Sequence, residues 1–283
     1  MNRRLATFIA LVLCSMGTAA GPLGPDGAGR SIPGKFVWFD LATEDPPAAK
    51  AFYGAVFGWR FREFPGAPAA YAVIDNRGDK VGGIFRQARP QGATAGSRWL
   101  SIVAVDDPAR VAAQVRERGG QVLLAPRKVP GRGTHAVFRD PEGAVFGVLA
   151  SESGDPPDTP VADGDVFWLD LYSRDPAKAA AFYAAIANLQ VDVGAIGGQE
   201  RTLLSSAGFA RAGVARLPAG AHLPGWLPYV LVEDVPATLA RARKAGGKVL
   251  LEPRATLLGG NLAVIADPLG GAIGIVDPVG GAR

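Results

Sequence analysis

The sequence predicts an α+β protein made of four βαβββ modules arranged as two tandem domains. Three observations predict it. The first is an internal repeat: Trp38, Asp40, Leu41, Asp45, Pro46, Phe52 and Tyr53 return 130 positions later as Trp168, Asp170, Leu171, Asp175, Pro176, Phe182 and Tyr183. Later the offset is 127, with Trp99 matching Trp226, Pro126 matching Pro253, and Asp140, Pro141, Gly143 and Gly147 matching Asp267, Pro268, Gly270 and Gly274. The second is an order of one strand, one helix and three strands that occurs twice in each copy. The third is a join between the copies, "SESGDPPDTPVADG", rich in Pro, Gly, Asp and Ser and poor in anything to bury.

The chain opens with a separate segment. Arg3 and Arg4 lead the apolar run "LATFIALVLCSMG", closed by the small residues of "TAAGP". This is the layout of an export signal over residues 1–20, cut near Ala20, and predicts a periplasmic or secreted protein. The run is too short for a comfortable membrane span, so no stable membrane insertion is expected after cleavage. The alternative is an uncleaved N-terminal anchor; lipid attachment at Cys14 is disfavoured by bulky Leu13 before it. Cleavage removes the single cysteine, leaving no disulfide, thiol nucleophile or thiolate ligand. It also removes Arg3 and Arg4, which lowers the net charge from +4 to +2. The remaining charges are scattered, which argues against nucleic acid or an anionic membrane as partner.

With 283 residues, 48% of them hydrophobic, the chain can fill two cores. Residues 21–34, "GPLGPDGAGRSIPG", predict a flexible segment, 35–150 the first domain, 151–164 a linker and 165–277 the second domain. Within the first copy, "FVWFDLAT" alternates and is rich in aromatic and β-branched residues, a strand. "DPPAAKAFYGAVFG" opens on a capping Asp with prolines in the first turn and stops at Gly58, a helix. "WRFREF", "AAYAVID" and "VGGIFR" are strand-sized, and the series restarts with the strand "WLSIVAV" and the helix "DPARVAAQVRERG". "QVLLAPRK", "THAVFRD" and "AVFGVLA" complete the second module as strands. One such module leaves a bare edge and an uncovered concave face, and pairing two modules shields both.

The "W-x-D-L" strand followed by "D-P…A-x-A-F-Y", the "D-D-P" and "E-D-V-P" openings of the second helices, and the "D-P-x-G" turns before each last strand resemble the vicinal oxygen chelate superfamily. That superfamily includes glyoxalase I, extradiol dioxygenases and the fosfomycin and bleomycin resistance proteins. The resemblance spans Lys35 to Ala150 and Asp165 to Asp277. In metal-using members it implies a divalent ion held by His or Glu on the first strands and Glu on a last strand. Here the first-strand positions hold Trp38 and Trp168, their partners in the second modules Leu100 and Leu227, and the last-strand positions Gly147 and Gly274. None of these side chains donates to a metal, so neither a metal nor another cofactor is expected. The two histidines, His135 and His222, occupy non-equivalent places in different copies.

Candidate ligand-binding residues follow. Trp38 and Trp168 either plug the space a metal would have used or, with Trp99 and Trp226, wall a cleft for a flat or apolar ligand. Asp40 and Asp170 lie two residues further along the same strand face. They would serve as a general base, grip a cationic or hydroxylated ligand, or brace their own module. Phe52, Tyr53, Phe182 and Tyr183 have the spacing of helix residues packed on a sheet. Glu142 of the first "DPEG" turn becomes Leu269 in the second, so it carries no shared role. The glycines of "VGGIF" and "GGNLA" fit close backbone approach rather than phosphate binding. No catalytic residue is assigned.

The expected function is metal-free binding of a small organic molecule. An enzyme of the lyase, isomerase or dioxygenase type with an unusual site, and a non-binding structural module of the envelope, are the alternatives. Departures between the copies, such as "VFGWRF" against "IANLQV", suggest that the two domains differ in use. Oligomeric state is left open.

Overall fold

The computed structural model describes residues 24–27, 29–64, 71–88, 96–196, 199–218, 220 and 224–277. The export signal over residues 1–20 and His222 lie outside them. The first copy forms β1 (Phe36–Thr43), α1 (Pro46–Phe57), β2 (Arg60–Glu63), β3 (Ala72–Asn76), β4 (Asp79–Arg86), β5 (Ser97–Ala104), α2 (Pro108–Glu117), β6 (Gln121–Val129), β7 (Gly133–Arg139) and β8 (Val145–Ser151). The second forms β9 (Val166–Ser173), α3 (Pro176–Ala187), β10 (Gln190–Ile196), β11 (Gln199–Ser206), β12 (Phe209–Arg216), β13 (Gly225–Leu231), α4 (Val235–Lys244), β14 (Lys248–Leu251), β15 (Leu262–Ala266) and β16 (Ala272–Val276). A short 3₁₀ turn, Leu258–Gly260, precedes β15.

Each α-helix starts the same way. Asp45, Asp107, Asp175 and Asp234 accept a backbone N–H from the first turn, and a proline sits at the first or second helical position. α1 ends where Gly58 turns left-handed at φ 76°, and Asn188 does the same for α3 at φ 54°.

Each domain is one continuous eight-stranded sheet, in the order β2-β3-β4-β1-β5-β8-β7-β6 and β10-β11-β12-β9-β13-β16-β15-β14. The two modules of a domain are stitched where the first strand of one runs antiparallel to the first strand of the other, setting Asp40 opposite Leu100 and Asp170 opposite Leu227. The module pairing therefore closes only the central edges.

The two domains face each other through their helix-bearing sides, α1 against α4 and α2 against α3. Phe39, Leu41, Phe52 and Tyr53 of the first domain and Leu169, Leu171, Phe182 and Tyr183 of the second belong to one core cluster spanning both. The contact repeats with near two-fold symmetry. Tyr53 Oη donates to Asp267 at 3.3 Å and Tyr183 Oη to Asp140 at 3.1 Å. Each Asp also accepts the backbone N–H groups of its own D-P-x-G turn. The turn that marks each repeat is thus the socket for the other domain's tyrosine. A second cluster, built on Trp38, Tyr71, Ile102 and Val137, fills the concave side of the first domain's sheet.

One expectation needs correcting. The described part of residues 21–34 and the join at 151–164 are not free spacers. Gly29 donates to Ser153, Ile32 to the Asp155 carboxylate, and Asp155 back to Arg30. Asp155 is 2% exposed. Asp158 clamps Lys35 of the first domain at 2.9 Å and Arg211 of the second at 2.6 Å. A polar segment with little apolar surface is ordered here by backbone and charge pairing, which a composition argument does not register.

Candidate functional site

The concave face of each sheet is lined by alternate strand residues, and the Trp-x-Asp pair lies at its centre. In the first domain this face is sealed. Trp38 Nε1 donates to Asp40 Oδ1 at 2.8 Å, Tyr71 Oη to the same oxygen at 2.7 Å, and Arg132 to Asp40 Oδ2 at 2.9 Å. The Arg132 guanidinium also reaches Tyr71 Oη at 3.2 Å and lies 5.3 Å from the centre of the Trp38 ring. Trp38, Tyr71 and Arg132 are at most 1% exposed. Gly83 is required here, since a Cβ on it would stand 1.9 Å from Tyr71 Oη and 2.7 Å from Asp40 Oδ1. Burial first, and then Asp40, raise the Tyr71 phenol, keeping it a donor. Among the described residues, buried His135 has no hydrogen-bond partner on either ring nitrogen, and Arg132 Nε has none. Burial, then the nearby Arg132 and Arg127, push the His135 pKa well below its ordinary value, so the ring is neutral.

The second domain builds the same face differently. Trp168 Nε1 donates to Asp170 Oδ1 at 3.1 Å and Arg201 to Asp170 Oδ2 at 3.0 Å. Arg201 sits two strand positions before Leu203, which pairs with Gly213, as Tyr71 sits two before Val73, which pairs with Gly83. One register position therefore supplies the aspartate's donor in both copies, tyrosine in one and arginine in the other. Tyr172 and Tyr229 join hydroxyls at 2.9 Å beside Asp170, and burial, followed by Tyr172 and Asp170, raises Tyr229 well above its ordinary value. Position 259, which the repeat aligns with Arg132, is glycine. With no guanidinium reaching in from that turn, Trp168, Tyr172, Arg201, Leu203 and Leu227 stay half-buried around a buried Asp170.

The site residues expected from sequence are thus divided. Trp38 with Asp40, and Trp168 with Asp170, are brought together. Trp99 and Trp226 are not. They pair with Leu41 and Leu171, whose side chains face the helices, so Trp99 and Trp226 lie on the opposite side of the sheet. There their Nε1 groups donate to Tyr53 and Tyr183 at 3.1 Å and 3.0 Å. The assignment of Trp99 and Trp226 as cleft walls is corrected: they are odd in the strand alternation relative to Leu100 and Leu227, which do face the cleft. Glu142 also has a role specific to its copy, accepting from Ser173 Oγ and the backbone N–H groups of Arg174 and Asp175 at the start of α3. Sequence reasoning missed Tyr71, Arg132, Arg201, Tyr172 and Tyr229. The repeat offset aligns Tyr71 with Arg201, but no local pattern marks Arg132, 92 positions from Asp40.

With this geometry in hand, the family follows. Residues 35–148 match the model of the Glyoxalase/Bleomycin resistance protein/Dioxygenase superfamily and residues 167–276 that of the Glyoxalase-like domain. The chain belongs to the glyoxalase/bleomycin resistance/dioxygenase superfamily. Among its relatives is the "Putative glyoxylase CFP32" of Mycobacterium tuberculosis, 32% identical over 246 residues, covering 85% of this chain and 94% of that one. Another is the anthracycline biosynthesis protein DnrV of Streptomyces peucetius, 30% identical over 262 residues, covering 88% and 94%. In fold, the chain is similar to the Mn(II)-bound glyoxalase of Novosphingobium aromaticivorans, with a TM-score of 0.60 at 19% identity, covering 88% and 84%.

Such a metal does not fit the residues present. The position a last-strand ligand would take is Gly147 or Gly274, and a Cβ there would stand 2.9 Å from Ile102 or 2.1 Å from the Tyr229 ring. The space is filled from the neighbouring strand. Trp38, Trp168, Leu100 and Leu227 offer no lone pair suited to a divalent ion. Among the described residues no group of three His, Cys, Asp or Glu side chains is placed to hold one.

Proposed function

We propose that this protein binds a small, flat organic molecule carrying a polar edge on the concave face of its second domain, without a metal. The supporting observation is the asymmetry of the two faces: Trp38 is 0% exposed and roofed by Arg132, whereas Trp168 is half-buried, with Tyr172, Leu203 and Leu227 around the Asp170–Arg201 pair. An aromatic wall with a few convergent polar groups suits a planar ligand with hydroxyl or carbonyl oxygens. The resemblance to a protein named for anthracycline biosynthesis agrees with a polycyclic aromatic ligand. Titration with a panel of planar hydroxylated aromatics is expected to quench tryptophan emission saturably. Trp168→Ala abolishes the effect and Trp38→Phe retains it; quenching that survives Trp168→Ala rules the second-domain face out.

The same reading places the mature protein outside the cytoplasm, on the strength of Arg3, Arg4 and the apolar run ending at Ala20. Among the described residues no helix is long and apolar enough to cross a membrane. Expressed from its full reading frame, the protein is expected in the periplasm or medium with an N-terminus just after Ala20. A cytoplasmic chain of full mass would contradict export.

A further inference from the structure

The two sheets end in four edge strands, β2, β6, β10 and β14. A free edge presents a row of unpaired N–H and C=O groups, and folded chains blunt it with charge, proline, bulges or brevity. Three of these edges are blunted. β2 has four residues, including Arg60, Arg62 and Glu63, and Glu63 is paired with Lys50. β6 carries Pro126, Arg127 and Lys128, and its register with β7 slips twice. β14 has four residues, begins at Lys248 and slips once against β15.

β10 has fewer of these devices. Its seven residues, "QVDVGAI", pair with β11 without a slip, and its one charge is Asp192. Among the described residues no strand runs along its outer side. Val191 and Val193 are 50% and 72% exposed. Pairing places Val191, Asp192 and Val193 opposite Leu204, Leu203 and Thr202, as Phe61, Arg62 and Glu63 lie opposite Ile74, Val73 and Ala72 in the first domain. The second copy thus has a valine where the first has its charged Glu63.

We propose that β10 is the contact through which two copies of this chain form a symmetric dimer, the strand pairing antiparallel with its counterpart to join the second-domain sheets. The register centred on Val193, the more exposed of the strand's two valines, makes β10 self-complementary. In it Val193 faces itself, Val191 faces Ala195, and Asp192 faces Gly194. Shifting the centre to Asp192 sets two carboxylates opposite each other, which is destabilising. In the favoured register Val191, Val193 and Ala195 of each copy share one face and cover one another. The contact is isologous and closed, so it stops at two copies. It stands independently of ligand binding.

The test uses the full chain carrying Cys14→Ser, which has no other cysteine. Sedimentation velocity should show a concentration-dependent dimer. Val193→Lys should shift the equilibrium toward monomer by at least about tenfold, by setting like charges opposite, while leaving the thermal unfolding of the single chain unchanged. Under mild oxidation Val193→Cys should cross-link two copies and Val191→Cys should not, because position 191 faces Ala195. A wild-type chain that stays monomeric at its highest soluble concentration, a dimer indifferent to Val193→Lys, or equal cross-linking at both positions overturns the proposal.

Discussion

Asp40 and Asp170 occupy the same motif, yet their surroundings give them different energetics. Asp40 accepts from Trp38, Tyr71 and Arg132, and both ends of its ion pair are out of water, the side chains being 5% and 1% exposed. Removing one partner of such a pair strands the other, so Asp40→Ala is expected to lose about 3–5 kcal/mol of stability. Arg201, the partner of Asp170, keeps 22% of its side chain exposed and can turn to solvent. Asp170→Ala is therefore expected to lose only about 1–2 kcal/mol. Urea unfolding of the two variants measures the difference, and equal losses would mean that the first domain's face is not the sealed one. With its oxygens engaged by three donors, Asp40 is a brace. Sequence placed Trp and Asp on one strand face but left brace, base and ligand grip open, because the deciding arginine arrives from a turn far along the chain.

Among the elements, the strands and helices were legible because each carries a local cause: an Asp cap, a proline in the first turn, a left-handed Gly58, or the aromatic and β-branched run of β1. Which face each strand residue takes was less so. Trp99 and Leu100 are neighbours in sequence and lie on opposite faces, and a register uncertainty of one residue exchanges them. The edge strands show the same limit. The exchange of Glu63 for Val193 between the copies is visible in the sequence, but only the sheet order shows that it falls on the outermost strands, β2 and β10, where a charge or a valine bears on whether the edge repels or receives another strand.

Over the whole molecule, the duplication is used twice. The repeated Phe-Tyr pairs and D-P-x-G turns fasten the domains to each other, and the repeated Trp-x-Asp strands line the two concave faces. The segment between the copies adds a third fastening at Asp158, where the Arg211 hydrogen bond, aided by Lys35, holds the carboxyl at about 2 against an ordinary 3.8. A carboxyl with a lowered folded value stabilises the fold above its unfolded value and loses that contribution as pH falls through the folded one. The stability gap between wild type and Asp158→Asn is therefore expected to be constant above about pH 5 and to close toward pH 2, the window set by the two values. A gap unchanged across that range would show that the clamp does not act through charge.

By itself the sequence determined the repeat, the four modules, the order of their elements and the residues, Trp38, Trp168, Gly147 and Gly274, that stand where the family resemblance implies metal donors. All of these are written in residue type and spacing, which the chain carries before it folds. Tertiary structure alone decided that Arg132 seals one face while its counterpart at Gly259 leaves the other half-open, and that β10 is an outermost strand, bare among the described residues. Those outcomes depend on which distant residues meet across a sheet, and a guanidinium placed 92 positions away leaves no local periodicity to read.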